Sequence, residues 1–381
     1  MKILLVGMNS IHLRRWSDQL KGSGHELFWF DILDQGPSPS LSYMTQFTAW
    51  KKGFLKKRGR SFLKQRFPRL FLKLSQRYDV AVADAFEQAL QQIQPDLVHS
   101  FALYISCGPI LEVMQQQPHL LWAYSSWGSD LFYYQHLPNY LAEIKAVLPR
   151  VNFLFTDCHR DAQIAQNYGF KGEHLGVFPG GGGFDLAQID RCKIDLDLRK
   201  VILIKGNENR SGRALAVLQA LEGLGKALKD YKVIVFGAEN EQVLQYTAIN
   251  NTKIPAVNVL GLLPHQDVLQ LMGQSLIYIG NSTSDGMPNT MLEAICAGAF
   301  PIQSNPGGAT AELIDPQTNG ALIRYPEDIS HIQAVIQEVL AHPSFIKKAV
   351  AYNTQHLVPK LEREFVKKQV WAAYQKITAY D

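Results

Sequence analysis

One stretch does most to limit what this chain can become. Residues 276–279 form an apolar, strand-like run, and 281–288 a polar turn holding Gly286 and Pro288. The residues that follow are helical up to Gly298, and Phe300 opens another apolar run. Strand, turn, helix and strand in that order put a helix N-terminus at the carboxyl edge of a sheet. Such an edge is an anion site, because the first N–H groups, around Met287, Asn289 and Thr290, lack intrahelical partners and face the positive end of the helix dipole. Asp285 before the helix and Glu293 within it are placed to accept hydrogen bonds from hydroxyls flanking a phosphate. A diphosphate with a sugar at either end, a nucleotide sugar, is the ligand with that chemistry.

The rest of the chain is long enough to build on this edge. With 381 residues, 46% of them hydrophobic and 19% charged, it supplies two domains with full cores. No apolar run approaches the roughly 20 residues that span a bilayer, and the start, Lys2 to Gly7, reads as a strand entering a turn, unlike a signal peptide. Cytosolic residence is the expectation. Cys107, Cys158, Cys192 and Cys296 have no ligand spacing and read as buried thiols. The net charge of +4 conceals a local block: eleven Lys and Arg fall between 47 and 78 with no Asp or Glu, leaving −7 for the remainder. That argues against nucleic acid as a partner and for one specific basic patch.

Taken in order, 2–7, a helix over 11–21 and a strand over 25–32 make a βαβ opening of Rossmann type. Residues 32–50, rich in Gly, Pro and Ser, read as loop. Within the basic block, Leu63, Phe67, Leu70, Phe71 and Leu74 recur at helical spacing, which suits an in-plane helix on an anionic membrane surface and equally a helix packed on its own domain. A helix over 79–92 and strands at 95–101, 120–124, 152–156 and 175–178 complete the first sheet. Strands at 201–204, 233–237, 257–261, 276–279 and 300–303 build the second, with a helix over 214–228. Only helices are expected after Asp328. Gly180, Gly181, Gly182 and Gly183 fit a hinge or a close approach of backbone to ligand. Asp195 and Asp197 form a D-x-D in a charged linker, read as chance, and no metal is expected.

The stretch resembles the donor-site signature of family 4 (group 1) glycosyltransferases of the GT-B fold: an acid, seven residues, then Glu, embedded with Gly286, Pro288, Glu293, Ala294, Gly298 and Pro301. Asp285 stands where Glu is usual. The resemblance implies an α/β architecture of two facing Rossmann-like domains: an acceptor domain over 1–190, a nucleotide-sugar donor domain over 191–355, and a C-terminal helix over 356–381 crossing back to the first. On the donor side it assigns Glu293 to ribose hydroxyls and Asp285 to donor-sugar hydroxyls, with Gly286, Met287, Pro288, Asn289 and Thr290 at the diphosphate. Asn207 and Gly212 occupy the family's usual Arg and Lys positions, so the clamp on the diphosphate is expected from Arg213 or Arg210, with Lys205 a third candidate. On the acceptor side, Asn9 and His12 match the first loop, and His99 lies in a P-D-apolar-apolar-H pattern that also suits a buried, hydrogen-bonded histidine. Trp127-Gly128-Ser129-Asp130 is similar to H-G-x-D, with Trp127 replacing the histidine and Asp130 a candidate catalytic group or a helix N-cap.

Retention of anomeric configuration, no metal and no cofactor are further implications. So is transfer to a glycan or lipid-linked acceptor of cell-envelope synthesis, by a cytoplasmic protein with peripheral membrane contact through 51–77. A non-catalytic subunit using the basic block, and a sugar-nucleotide epimerase, are the alternatives.

Overall fold

The computed structural model describes residues 1–51, 66, 81–249 and 254–380. The amphipathic segment 61–77 and the membrane contact read from it lie outside the described residues, apart from Arg66. The chain divides into two compact units, Met1–Thr156 with Ala162–Gly176 and Ala373–Asp381, and Asp157–Asp161 with Val177–Ala372.

The first unit is a seven-stranded sheet in the order β3-β2-β1-β4-β5-β6-β7. Its strands are β1 (Lys2–Gly7), β2 (Glu26–Asp31), β3 (Thr45–Phe47), β4 (Leu97–Phe101), β5 (Leu121–Ser125), β6 (Phe153–Thr156) and β7 (Glu173–Val177). The pairs from β3 to β6 are parallel. Both faces are covered, which is why Ile3, Leu4, Leu5 and Val6 are consecutive apolar residues and all fully buried. The helix Ile11–Gln19 follows β1, with the Ser10 hydroxyl accepting from Leu13 N–H.

The second unit is a six-stranded parallel sheet in the order β12-β11-β8-β13-β14-β15. Its strands are β8 (Val201–Lys205), β11 (Lys232–Phe236), β12 (Val257–Val259), β13 (Ser275–Gly280), β14 (Phe300–Ser304) and β15 (Ala321–Ile323), and a small hairpin, β9 (Glu208–Asn209) with β10 (Gly212–Arg213), follows β8. Chain order reverses at the β8/β13 pair, the point where ligands of such sheets bind at the strands' carboxyl ends.

The region expected to be loop between 32 and 50 contains β3, and the one expected to be plain loop after β8 contains the hairpin. The helix expected over 214–228 is Ala214–Glu222, ending at Gly223. The final helix expected over 356–381 is two pieces, Val358–Leu361 and Arg363–Thr378. Between them Glu362 bridges Phe184, whose N–H donates to Leu361 O and whose carbonyl accepts from Arg363 N–H. Those bonds tie the segment around Phe184 to the second unit, so the division falls after Gly176 where the sequence suggested 190. The close approach is also a reason for glycine at 183: its φ is +77°, and a Cβ would sit 2.9 Å from Arg363 Cα and 3.0 Å from Leu361 O. The last helix itself changes membership, with Ala373 onward in the first unit.

Candidate active site

The expected helix N-terminus exists. The helix Asn289–Cys296 starts after Pro288, whose side chain makes no capping bond, and Met291 through Cys296 are all buried. Six consecutive buried residues leave the helix no solvent face after its first turn. Its far end is held by Arg199, 4% exposed, whose Nη1 donates to Ala297 O, Gly298 O and Ser275 O at 3.0–3.1 Å. A cation at a helix C-terminus meets both the orphan carbonyls and the dipole. Its pKa is lowered by burial.

The turn before the helix is held by β14 and by the segment after β15. Ser282 N–H donates to Ser304 Oγ at 2.7 Å, and Asn281 Nδ2 donates to Pro326 O at 2.7 Å. Asp285 Oδ1 accepts from Gly286 N–H at 3.0 Å. Gly286 is required by crowding, since a Cβ there would lie 2.2 Å from Asp157 Oδ2. Asn289 Oδ1 accepts from Gly181 N–H at 3.2 Å, which joins the glycine-rich loop to the helix start.

The hairpin is hydrogen-bonded onto this turn. Arg210 O accepts from Thr283 N–H at 3.0 Å and Ser284 N–H at 3.3 Å, and Arg213 N–H donates to Asn281 O at 2.8 Å. Gly212 makes the hairpin tight, because a Cβ would be 2.3 Å from Asn207 O. Lys205, ending β8, donates to Ser211 O at 3.2 Å. The structure thus brings Lys205, Arg210 and Arg213 together with the loop of Asp285, Gly286 and Met287 and the helix of Asn289, Thr290 and Glu293. Arg213 is already engaged: Nη1 donates to Asn209 O at 2.6 Å and Nε to Glu327 Oε1 at 3.2 Å. Glu293 is 8% exposed and its Oε1 accepts from His265 Nε2 at 2.7 Å.

Sequence reasoning missed Arg199 and Asn281; His265 falls in the segment Gly261 to His265, which resembles the family's base pocket, but its pairing with Glu293 was not foreseen. It also missed Tyr278, a fully buried tyrosine of β13 whose pKa burial pushes up, with the charges of Asp285 and Glu293 adding to the shift. The one signal was an arginine standing in the linker before β8; Ala297 lies 98 residues from Arg199 and Pro326 45 from Asn281, separations that leave no local trace.

In the first unit, Asn9, His12 and Trp127 are half-buried at the carboxyl edge of the sheet. The His12 ring lies 5.4 Å from Trp127, which stacks on Phe101 at 4.8 Å, and Phe101 stacks on His99 at 4.3 Å. His99, expected on the acceptor side, is fully buried: Nε2 meets Ser125 Oγ at 2.8 Å, Nδ1 meets Tyr374 OH at 2.5 Å, and burial lowers its pKa to about 3. Asp130, 3% exposed, also acts inward. Its Oδ2 accepts from Leu103 N–H at 2.8 Å and from the Tyr124 hydroxyl. Those bonds secure the turn after Ala102, a non-glycine residue at φ 65°. Asp130 is therefore a support of that strained corner, in place of the helix N-cap expected as one of its roles.

Among the described residues, one group could present metal donors, the buried Asp157, Cys158 and Asp161. Arg160 pairs with Asp161 at 2.8 Å, and burial pushes the Cys158 thiol up. Asp195 accepts from Asp197 N–H, a local turn cap.

Residues 193–356 match the family of glycosyl transferases group 1. The chain carries a group 1 glycosyltransferase domain. Solved structures similar over the whole length show that the chain has the GT-B fold. They include sucrose-phosphate synthase from Thermosynechococcus elongatus, at 15% identity, 100% of both chains and TM-score 0.70. The Anabaena protein HepE, solved with UDP and glucose, matches at 15% identity, 100% of both chains and TM-score 0.68. The lipopolysaccharide outer core galactosyltransferase WaaB matches at 16% identity, 99% of this chain and 100% of that one, with TM-score 0.68. No curated protein matches the sequence. Among the described residues, no helix is long and apolar enough to cross a membrane.

Proposed function

We propose that the glycosyltransferase moves a sugar from a nucleotide-sugar donor, with retention of anomeric configuration and without a metal ion. One observation carries this reading: the hairpin of Arg210 and Arg213 is hydrogen-bonded to the turn that opens the helix Asn289–Cys296, at the switch point of the sheet. Charge grows on the leaving diphosphate as the glycosidic bond breaks, and fixed N–H dipoles and guanidinium groups meet it without reorganising, which lowers the barrier. Arg213 would exchange the exposed Glu327 for phosphate, a stronger acceptor for a forked donor. Glu293 would hold the ribose and Asp285 the donor sugar. HepE, a protein of the same fold, is also solved with UDP-glucose, a nucleotide sugar, and WaaB supports an acceptor in cell-envelope glycan synthesis. Asn9, His12 and Trp127 are assigned to that acceptor, which is polysaccharide or lipid-linked, and the protein to the cytoplasmic side of the membrane.

The test is thermal stabilisation by UDP, GDP, ADP and their sugar conjugates, with and without EDTA, followed by donor turnover. Stabilisation by one nucleotide that survives EDTA is expected. A shift that EDTA abolishes overturns the metal-free mechanism, and none with any nucleotide overturns the donor site.

A further inference from the structure

We propose that His265 is a positioning residue for the donor ribose, acting through Glu293; the proposal rests on the donor-site reading above. His265 opens the helix His265–Gln274, directly after Pro264, and Glu293 sits in the helix Asn289–Cys296. The two side chains meet at 2.7 Å, Nε2 against Oε1, and differ in exposure: 49% for the imidazole, 10% for the carboxylate. Glu293 is therefore a nearly enclosed acid whose one observed side-chain partner is a half-exposed ring.

A carboxylate has two oxygens, and a ribose offers two adjacent hydroxyls as donors. Left alone, Glu293 could rotate, and ordering it on binding would oppose affinity. With Nε2–H donating to Oε1, the carboxylate is locked in one orientation before any ligand arrives, and Oε2 is the oxygen presented to a hydroxyl. In the neutral ring Nδ1 is then an acceptor, so the pair offers acceptors on two different groups to a diol. The consequence is selectivity for ribose over sugars lacking these hydroxyls, set by a residue that bears on neither phosphate nor reacting carbon. A site built around hydroxyl donors discriminates strongly against ligands that lack them, because its buried acceptors are then left unpaired.

The experiment measures binding of UDP, GDP and ADP, and of the 2′,3′-dideoxy form of whichever binds best, to wild type, His265→Ala, His265→Gln and Glu293→Ala. His265→Ala is expected to weaken the ribonucleotide about tenfold and leave the dideoxy form unchanged, the loss of one hydrogen bond to a charged group. His265→Gln, whose amide nitrogen can stand near Nε2, is expected to recover most of that loss. Equal weakening of both nucleotides by His265→Ala, or no weakening of either, overturns the positioning role. If wild type prefers ribose and Glu293→Ala removes the preference while His265→Ala does not, only the His265 proposal fails. A wild type that binds none of the three diphosphates, or does not distinguish ribose from dideoxyribose, removes the donor reading and this proposal together.

Discussion

His99 has no solvent in which to ionise, and that makes it a measurable acid-stability element. Its folded pKa is about 3 against an ordinary 6.5, lowered by burial. Between those values the unfolded chain binds a proton that the folded chain does not, so stability is full above about pH 6.5 and falls as pH drops, by up to about 1.4 kcal/mol per pH unit. His99→Gln keeps a hydrogen-bonding group and cannot titrate. Denaturant unfolding between pH 7 and pH 4 should therefore show a shallower acid slope in the variant by close to one proton; parallel slopes would mean that His99 is not held neutral. At Gly286 the constraint is steric. Gly286→Ala drives a Cβ to 2.2 Å from the Asp157 carboxylate, and the turn carrying Asp285 has to shift. Nucleotide affinity is expected to fall about tenfold or more in calorimetric titration while the melting temperature moves by a few degrees, the pattern of a displaced binding loop in an otherwise intact domain.

Two elements decide where the anion edge lies. The helix Asn289–Cys296 is anchored at its far end by Arg199, and Arg199→Met would leave the carbonyls of Ala297, Gly298 and Ser275 without that donor. A loss of about 2–3 kcal/mol is expected in urea unfolding, the range for hydrogen bonds to a charged group; less than a few tenths would mean that water replaces it. The hairpin of β9 and β10 depends on Gly212, and Gly212→Ala should release Arg210 and Arg213 from the 281–284 turn, weakening nucleotide binding more than Arg213→Ala alone. How these elements announce themselves differs. β1, β8, β13 and β14 were legible because strands buried on both faces are continuous apolar runs, and the helix start was legible because Gly286, Pro288 and Glu293 crowd one turn. β3 and β15, three residues each, did not stand out from the loops around them. The hairpin is polar, and its existence rests on a Cα-to-carbonyl approach at Gly212. Arg199 acts on atoms far along the chain, and no local rule connects it to the helix it holds.

At the scale of the whole molecule, the last helix carries a long-range dependence. Its residues through Ala372 belong to the second unit and those from Ala373 to the first, where Tyr374 is fully buried. The Tyr374 hydroxyl accepts from Trp16 Nε1 at 3.1 Å and meets His99 Nδ1, so the interior of the first unit is completed by a segment 275 residues beyond its own β4 histidine. Truncation after Ala372 strips out the buried Tyr374 and Ile377 and leaves two buried nitrogens without their partner, each costing about 1–3 kcal/mol. Tyr374→Phe removes the hydroxyl alone. Calorimetry of the truncated chain should resolve an early transition for the first unit, while the nucleotide-dependent shift of the later transition survives, since every residue assigned to the donor lies before 373. The Phe variant should lower the early transition by less and leave the later one in place. A single transition that falls as one in both variants would instead mean that the two units unfold together and that the terminal segment stabilises the entire chain.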